Sequence, residues 1–105
     1  MSSYSVFLSP IAEKKLILLL EYLEIEWGVK SKKDYLKQLQ KAFNTISKNP
    51  KAFEESKSFK NLYRCIVTKQ SAFFYRINKK EIEIITIIDN RQNPEIIKKE
   101  LRKLK

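Results

Sequence analysis

Residues 61–94, NLYRCIVTKQSAFFYRINKKEIEIITIIDNRQNP, decide the fold of this chain. They contain three runs dominated by Val, Ile, Thr, Phe and Tyr, residue types that suit the half-buried surface of a sheet. The runs are residues 62–68, 72–77 and 82–88. Because the polar connections between them are too short for a crossover helix, we expect the three strands to form an antiparallel meander.

A helix is predicted upstream of the meander, after a short β-type run at residues 4–8. Ser9 and Pro10 suit the N-cap and the first position of this helix. It runs to Trp27, and Gly28 should end it in the left-handed conformation.

The predicted first helix is apolar on more than one side. Its main stripe, which should face the core, consists of Ala12, Leu16, Leu19, Leu20, Leu23 and Trp27. Ile17, Leu18 and Ile25 lie off this stripe, which indicates either a position between two layers or a partner. We expect Trp27 to pack within a helical hairpin.

A second helix should follow, capped by Ser31 with Asp34 three residues on, and ended by the Asn-Pro pair at residues 49–50. Its apolar stripe is one-sided and consists of Tyr35, Leu36, Leu39, Ala42, Phe43 and Ile46. The lysines expected mostly on its outer side are Lys32, Lys33, Lys37, Lys41 and Lys48. Because the connection between the helices is short, they should form an antiparallel hairpin.

The order of elements predicts one two-layer α+β domain over residues 1–105, β-α-α-β-β-β-α. The helical hairpin should pack on one face of an antiparallel sheet, and a short C-terminal helix should begin at Pro94.

Composition excludes several kinds of site. There is no histidine, so a Ser-His-Asp or Cys-His arrangement is excluded, and one glycine cannot make a glycine-rich phosphate loop. With a single cysteine, Cys65, we expect no disulfide, metal site or cofactor. The absence of an export signal or a membrane-spanning run predicts a cytoplasmic protein without a membrane partner.

The net charge of +10 is unevenly placed. Residues 1–30 carry three lysines and four glutamates, whereas residues 31–105 carry nineteen basic and eight acidic residues, a balance of +11. Such a field favours a polyanion, either nucleic acid or an acidic protein segment. A solvated lysine-rich surface would give the same count, so both interpretations stand.

Four segments in this order resemble the RelE/ParE superfamily of bacterial toxins. Residues 4–13, YSVFLSPIAE, look like the opening strand and helix start of the family, and residues 47–50, SKNP, are similar to its helix end. Leu62-Tyr63-Arg64 and Phe74-Tyr75-Arg76 are similar to its central strands. Residues 87–94, IIDNRQNP, are similar to its closing segment, except that Asp89 stands where the family has a histidine.

The resemblance implies a cytoplasmic toxin that a cognate acidic antitoxin neutralises, and it allows a toxin–antitoxin hetero-oligomer. In this family, RelE-like members cut messenger RNA on the ribosome, whereas ParE-like members bind and inhibit DNA gyrase without a reaction of their own. RNA cleavage needs proton-transferring groups and cations around the phosphate. The cations are Arg64, Arg76, Arg91, Lys57 and Lys60.

Proton-transferring groups are scarce in this sequence. Asp89 or Glu83 is a possible base, but phosphate repels a carboxylate. Tyr63 and Tyr75 lie inside strands, where a half-buried aromatic residue is the ordinary explanation. These features favour the ParE-like branch, with the nuclease as the alternative. A non-toxic domain that binds nucleic acid or protein is a second alternative.

The three arginines are the predicted target-binding or phosphate-binding residues. Arg91 ranks first because it lies in a loop after the last strand. Arg64 ranks second, since a strand arginine also forms cross-strand ion pairs, and Arg76 follows by resemblance. Cys65 is interpreted as a small buried hydrophobic residue.

Overall fold

The computed structural model describes residues 3–57, 59–89, 99, 101 and 102. It confirms the predicted two-layer α+β fold. The elements are β1 (Ser5–Leu8), α1 (Pro10–Trp27), α2 (Val29–Lys48), β2 (Tyr63–Thr68), β3 (Ser71–Asn78) and β4 (Glu81–Asp89). Residues 99, 101 and 102 are helical, and the rest of the predicted C-terminal helix lies outside the described residues.

The four strands form one sheet in the order β1-β4-β3-β2. The predicted meander is confirmed, because β2–β3 and β3–β4 are antiparallel pairs. The sheet as a whole is mixed rather than antiparallel, since β1 lies parallel to β4 with Val6 opposite Ile82. A parallel neighbour needs a long connection, and here two helices and two strands separate β1 from β4.

A β-bulge in β4 reverses the faces of the residues that follow it. Tyr75 pairs with Ile84 and Phe74 with Thr86, so Ile85 is the extra residue. The hydroxyl of Ser9 donates to the carbonyl of this residue at 2.8 Å and accepts from the amide of Ala12 at 3.0 Å. Ser9 is therefore the predicted N-cap of α1 and also fixes the start of that helix to the bulge.

Two apolar clusters lie on opposite faces of the sheet. The larger lies beneath the helices, where Leu39 and Ile46 of α2 pack with Phe73 and Tyr75 of β3. The smaller lies on the other face, where Leu101 is buried in the same cluster as residues of β3 and β4. The sheet therefore has an apolar residue from the C-terminal segment on the face that the helical hairpin leaves open.

The junction between the helices differs from the prediction. Helix α2 begins at Val29 with Gly28 as its N-cap residue, so the predicted cap at Ser31 is wrong. Gly28 has φ 97° and ψ 171°, an extended backbone of positive φ rather than the predicted left-handed helical conformation. Gly28 alone connects the two helices and reverses the chain. Ser31 therefore lies inside the first turn of α2.

Trp27 does not pack within the hairpin as predicted. Its side chain is 69% exposed, because the chain turns into α2 directly after it and leaves the indole at the tip of the hairpin. Ile17, Leu18 and Ile25 are also exposed. Helix α1 therefore presents an apolar outer side that no described part of the chain covers.

Candidate target-binding site

Strand register places Arg64 and Arg76 on the face of the sheet opposite α1 and α2, which we call the distal face. Arg64 lies opposite Phe74, and Arg76 opposite Glu83. Their strand neighbours Tyr63 and Tyr75 pair with each other on the helix side, where their rings stack at 5.4 Å. As diagonal neighbours on adjacent strands, the two arginines have Cα atoms about 7–8 Å apart.

Arg76 forms a cross-strand ion pair. Its Nε and Nη2 atoms each lie 3.1 Å from Oε1 of Glu83. The guanidinium is only half-exposed, and its charge is largely balanced by the carboxylate on the neighbouring strand. Arg76 therefore mainly links β3 to β4 through this ion pair, and only part of its positive charge is available to a ligand.

Arg64 presents an unbalanced charge on the distal face. Its side chain is exposed, and it pairs with no carboxylate of the described residues. The alternative that Arg64 forms a cross-strand ion pair is therefore wrong, because the residue opposite it is the aromatic Phe74. The ion pair that the sequence suggested for Arg64 belongs to Arg76.

The segment before β2 brings further polar groups to this side of the sheet. The amide of Arg64 donates to the carbonyl of Glu54 at 3.1 Å, so this segment lies along the outer edge of β2. The side-chain amide of Asn61 donates to the carbonyl of Ile77 at 3.2 Å. Lys57 and Lys60 lie in the same segment and are exposed.

A small groove of about 260 Å³ lies beside Arg76, and its lining includes Phe7 and Asn61. Sequence analysis missed both residues. Phe7 alternates with the inward-facing Val6 and Leu8, so the period of two could have placed it on the distal face. Asn61 has φ 55°, a conformation that is uncommon outside glycine. Asparagine adopts it more often than most residues do, so the residue type was only a weak signal in the sequence.

Arg91, the first-ranked candidate, lies outside the described residues, so its position relative to Arg64 stays a prediction. The structure thus brings together two of the predicted arginines, with Arg64 as the more available charge.

Comparison with known proteins identifies the family. The family described as "ParE toxin of type II toxin-antitoxin system, parDE" matches residues 6–94. The chain belongs to this toxin family. No curated protein matches the sequence.

Solved structures share the fold of this ParE-family chain at low identity. A chain of the chromosomal ParDE toxin–antitoxin system from P. aeruginosa has a TM-score of 0.70 and 14% identity, with 83% of this chain and 96% of that one covered. The YoeB dimer from Staphylococcus aureus has a TM-score of 0.58 and 14% identity, covering 83% and 97%. A copper-bound mutant toxin from Helicobacter pylori gives 0.55 and 12%, covering 84% and 96%.

Asp89, at the C-terminal end of β4, lies on the helix side of the sheet. It pairs with Ser71, whose hydroxyl is 2.8 Å from that of Tyr35 on α2. The pKa of Tyr35 is raised, chiefly by burial; the hydrogen bond with Ser71 lowers it, and the negative charge of Asp89 raises it further. Asp89 therefore belongs to a polar cluster under α2, with the sheet between it and Arg64.

The other candidate proton-transferring groups are also occupied. Glu83 is held by Arg76. The hydroxyl of Tyr75 donates to the carbonyl of Pro50 at 2.7 Å, and burial raises its pKa well above 10. Cys65 is buried, as predicted, and burial raises the pKa of its thiol to about 11. In the described part of the chain, the distal face thus carries cations without a poised acid or base.

A larger open groove of about 570 Å³ lies between the helical hairpin and the β2–β3 turn. Its walls include Tyr22, Trp27 and Tyr35, with Asp34 and Asp89 among the polar lining residues. No three His, Cys, Asp or Glu residues within the described ranges are grouped as a metal ion would need. No described helix is long and apolar enough to cross a membrane.

Proposed function

We propose that this ParE-family toxin binds and inhibits DNA gyrase in the cytoplasm, with the distal face as its contact surface. Arg64 is the central contact, Arg91 a second, and Arg76 a weaker one. Among the described residues, the guanidinium of Arg64 is exposed and pairs with no carboxylate, and no poised acid or base lies on its face of the sheet; this observation supports the proposed function. Arginine is enriched among the residues that dominate binding energy at protein interfaces.

The same geometry disfavours the nuclease alternative. Cleavage at a 2′-hydroxyl needs a group that takes a proton within hydrogen-bond reach of the reacting phosphate. Asp89 lies on the far side of the sheet from Arg64, and Glu83 is paired with Arg76. Cations alone can hold a phosphate or an acidic protein surface, but they do not supply the proton transfer.

We also propose that an acidic antitoxin neutralises the toxin in a hetero-oligomer and covers the apolar outer side of α1. Ile25 is 80% exposed and Leu18 is 55% exposed, one helical heptad apart. A partner helix that buries both side chains would contribute apolar contact area. Its acidic residues would be attracted by the net charge of +10.

The gyrase proposal is tested by supercoiling with purified gyrase and purified toxin. Wild-type toxin should inhibit supercoiling, and Arg64→Gln and Arg91→Gln should each raise the half-inhibitory concentration roughly tenfold or more. Lys14→Gln removes one positive charge from the outer side of α1 and is the matched control. It should inhibit like the wild type.

Cleavage of ribosome-bound messenger RNA that Arg64→Gln and Arg91→Gln abolish would overturn the proposal in favour of the nuclease. Normal growth of cells at confirmed toxin expression, together with unaffected gyrase, would favour the non-toxic binding domain instead. Equal inhibition by wild type and Arg64→Gln would remove the distal face from the contact surface.

A further inference from the structure

One row of donors runs along the solvent side of α2 at spacings of three or four residues. Its positions are Lys30, Lys33, Lys37, Lys41, Asn44 and Lys48. At 100° per residue the five lysines fall within an arc of about 80° and span about 27 Å of helix. All five are exposed, and none pairs with a carboxylate of the described residues. We call this set the lysine row.

The lysine row is unfavourable for α2 itself. Lys33, Lys37 and Lys41 are like charges at i, i+4, and such pairs destabilise a helix by about 0.2–0.5 kcal/mol each. Asp34 is the one acidic residue of α2, and it forms no ion pair with another described residue. By contrast, Lys32 lies off the row and pairs with Glu24 of α1 at 2.9 Å. Solvation of the helix does not require five aligned, unbalanced cations.

We propose that the lysine row binds the phosphate backbone of duplex DNA. Exposed lysines gain affinity for a polyphosphate because binding releases condensed counterions. The side chain of Asn44, which accepts from Gln40 at 3.3 Å, fills the gap between Lys41 and Lys48 with a further polar group. The row can therefore follow a backbone without interruption.

The composition of the row favours a duplex backbone over other polyanions. An acidic protein segment would need apolar anchors for affinity, and the row has none, while exposed lysine–carboxylate pairs contribute little. A single strand would stack its bases on aromatic side chains, and the row has no aromatic residue. The choice of DNA over RNA rests on the proposed function, since gyrase acts on DNA.

The row lies on a different part of the molecule from Arg64. Helix α2 covers the helix side of the sheet, whereas Arg64 projects from the distal face. Contact with gyrase through the distal face therefore leaves the lysine row open to DNA that the enzyme holds. The row would add affinity for a gyrase–DNA complex over free gyrase.

The test is fluorescence anisotropy of a labelled 20-bp duplex of arbitrary sequence, titrated with the purified toxin between about 50 and 300 mM salt. Five phosphate contacts give a slope of log K against log salt of about −4.5. Lys37→Gln with Lys41→Gln should make the slope shallower by about 2, and binding at 0.1 M salt roughly ten- to sixtyfold weaker.

The matched control is Lys14→Gln with Lys79→Gln, which also removes two positive charges, but from exposed positions outside the lysine row. It should bind duplex DNA within about twofold of the wild type if charge placement decides affinity. Glutamine has nearly the helix propensity of lysine. Coincident thermal unfolding curves for both double variants should therefore show that each is folded.

Three outcomes would overturn the inference: equal loss of affinity in the two double variants, binding to polyglutamate as tight as to the DNA duplex, or binding to an RNA duplex as tight as to DNA. The supercoiling assay separates this inference from the proposed function. Inhibition of gyrase by a toxin that binds no DNA would overturn the lysine row alone. Tight DNA binding without inhibition of gyrase would overturn the proposed function alone.

Discussion

At the scale of single residues, burial decides which polar side chains are available for binding or proton transfer. The hydroxyls of Tyr35 and Tyr75 are each engaged inside the helix-side core, by Ser71 and by the carbonyl of Pro50. The thiol of Cys65 is buried in the same cluster. Arg64, two strands away from β4 and on the other face, keeps an exposed charge that pairs with no carboxylate of the described residues.

Cys65 should make the stability of the protein fall at alkaline pH. Burial raises the pKa of its thiol from 9.0 to about 11. Below about pH 9 both states keep the proton. Above it the unfolded chain releases the proton while the folded chain retains it, so the free energy of unfolding falls by up to about 1.4 kcal/mol per pH unit.

Urea unfolding between about pH 8 and pH 10 measures this effect, and comparison with Cys65→Ala separates the thiol from other groups that titrate in the same interval. Cys65→Ala should be less stable at every pH because of the cavity, yet lose less stability over this interval than the wild type. Parallel pH profiles for the two proteins would contradict the assignment.

At the scale of elements, Gly28 fixes the geometry of the helical hairpin. The residue ends α1 and begins α2, and the amide of Gly28 donates to the carbonyl of Glu24 at 2.9 Å. Its φ of 97° with an extended ψ is a conformation that residues with a Cβ rarely adopt. The direct junction leaves Trp27 at the tip of the hairpin and sets where the lysine row of α2 begins.

Gly28→Ala should destabilise the protein by about 1–3 kcal/mol through backbone strain. No atom lies within 4 Å of the position of an added Cβ, so steric contact adds nothing to this cost. Urea unfolding measures the change.

Ser31→Ala is the control for this junction, since Ser31 was the cap predicted from the sequence. Its side chain makes only a long contact of 3.5 Å with the carbonyl of Trp27. The substitution should change stability by less than about 0.5 kcal/mol. A loss of about 1 kcal/mol or more, the usual cost of removing a serine cap, would show that α2 begins later than Val29.

At the scale of the whole molecule, the two helices of the hairpin present different surfaces. Helix α1 carries two lysines and four glutamates, whereas α2 carries six lysines and one aspartate. The exposed apolar side chains Ile17, Leu18 and Ile25 all belong to α1. One helix thus suits an apolar protein partner and the other a polyanion, while the distal face carries Arg64.

Leu18→Gln with Ile25→Gln should weaken binding of the antitoxin at least about tenfold, because each buried aliphatic side chain contributes roughly 1.5–3 kcal/mol. Both side chains are already exposed, so thermal stability of the free toxin should hardly change. Calorimetry with the cognate antitoxin measures the affinity.

Glu13→Gln with Glu26→Gln changes two exposed polar residues of α1 and is the control. It should bind the acidic antitoxin at least as tightly as the wild type, because it removes only negative charge from the toxin. Equal affinity for the Leu18/Ile25 double variant and this control would place the antitoxin on another surface, such as the groove beside Trp27.

The sequence by itself determined the features that depend on local chemistry. The three β-rich runs with short connections predicted the meander, and Ser9-Pro10 predicted the start of α1. The period of the apolar residues placed Ile17, Leu18 and Ile25 off the core-facing stripe of α1, and the structure leaves all three exposed. The resemblance of four short segments indicated the toxin family, and the comparison with known proteins then identified the chain as a member of it.

Only the tertiary structure decided which side chains meet, because pairing depends on register between distant strands. Register gives Arg76 a carboxylate partner and Arg64 an aromatic one. Without the bulge at Ile85, Asp89 would share a face with Glu83 and the arginines. The one extra residue turns Asp89 under α2 instead, and so removes its carboxylate from the face that carries Arg64 and Arg76.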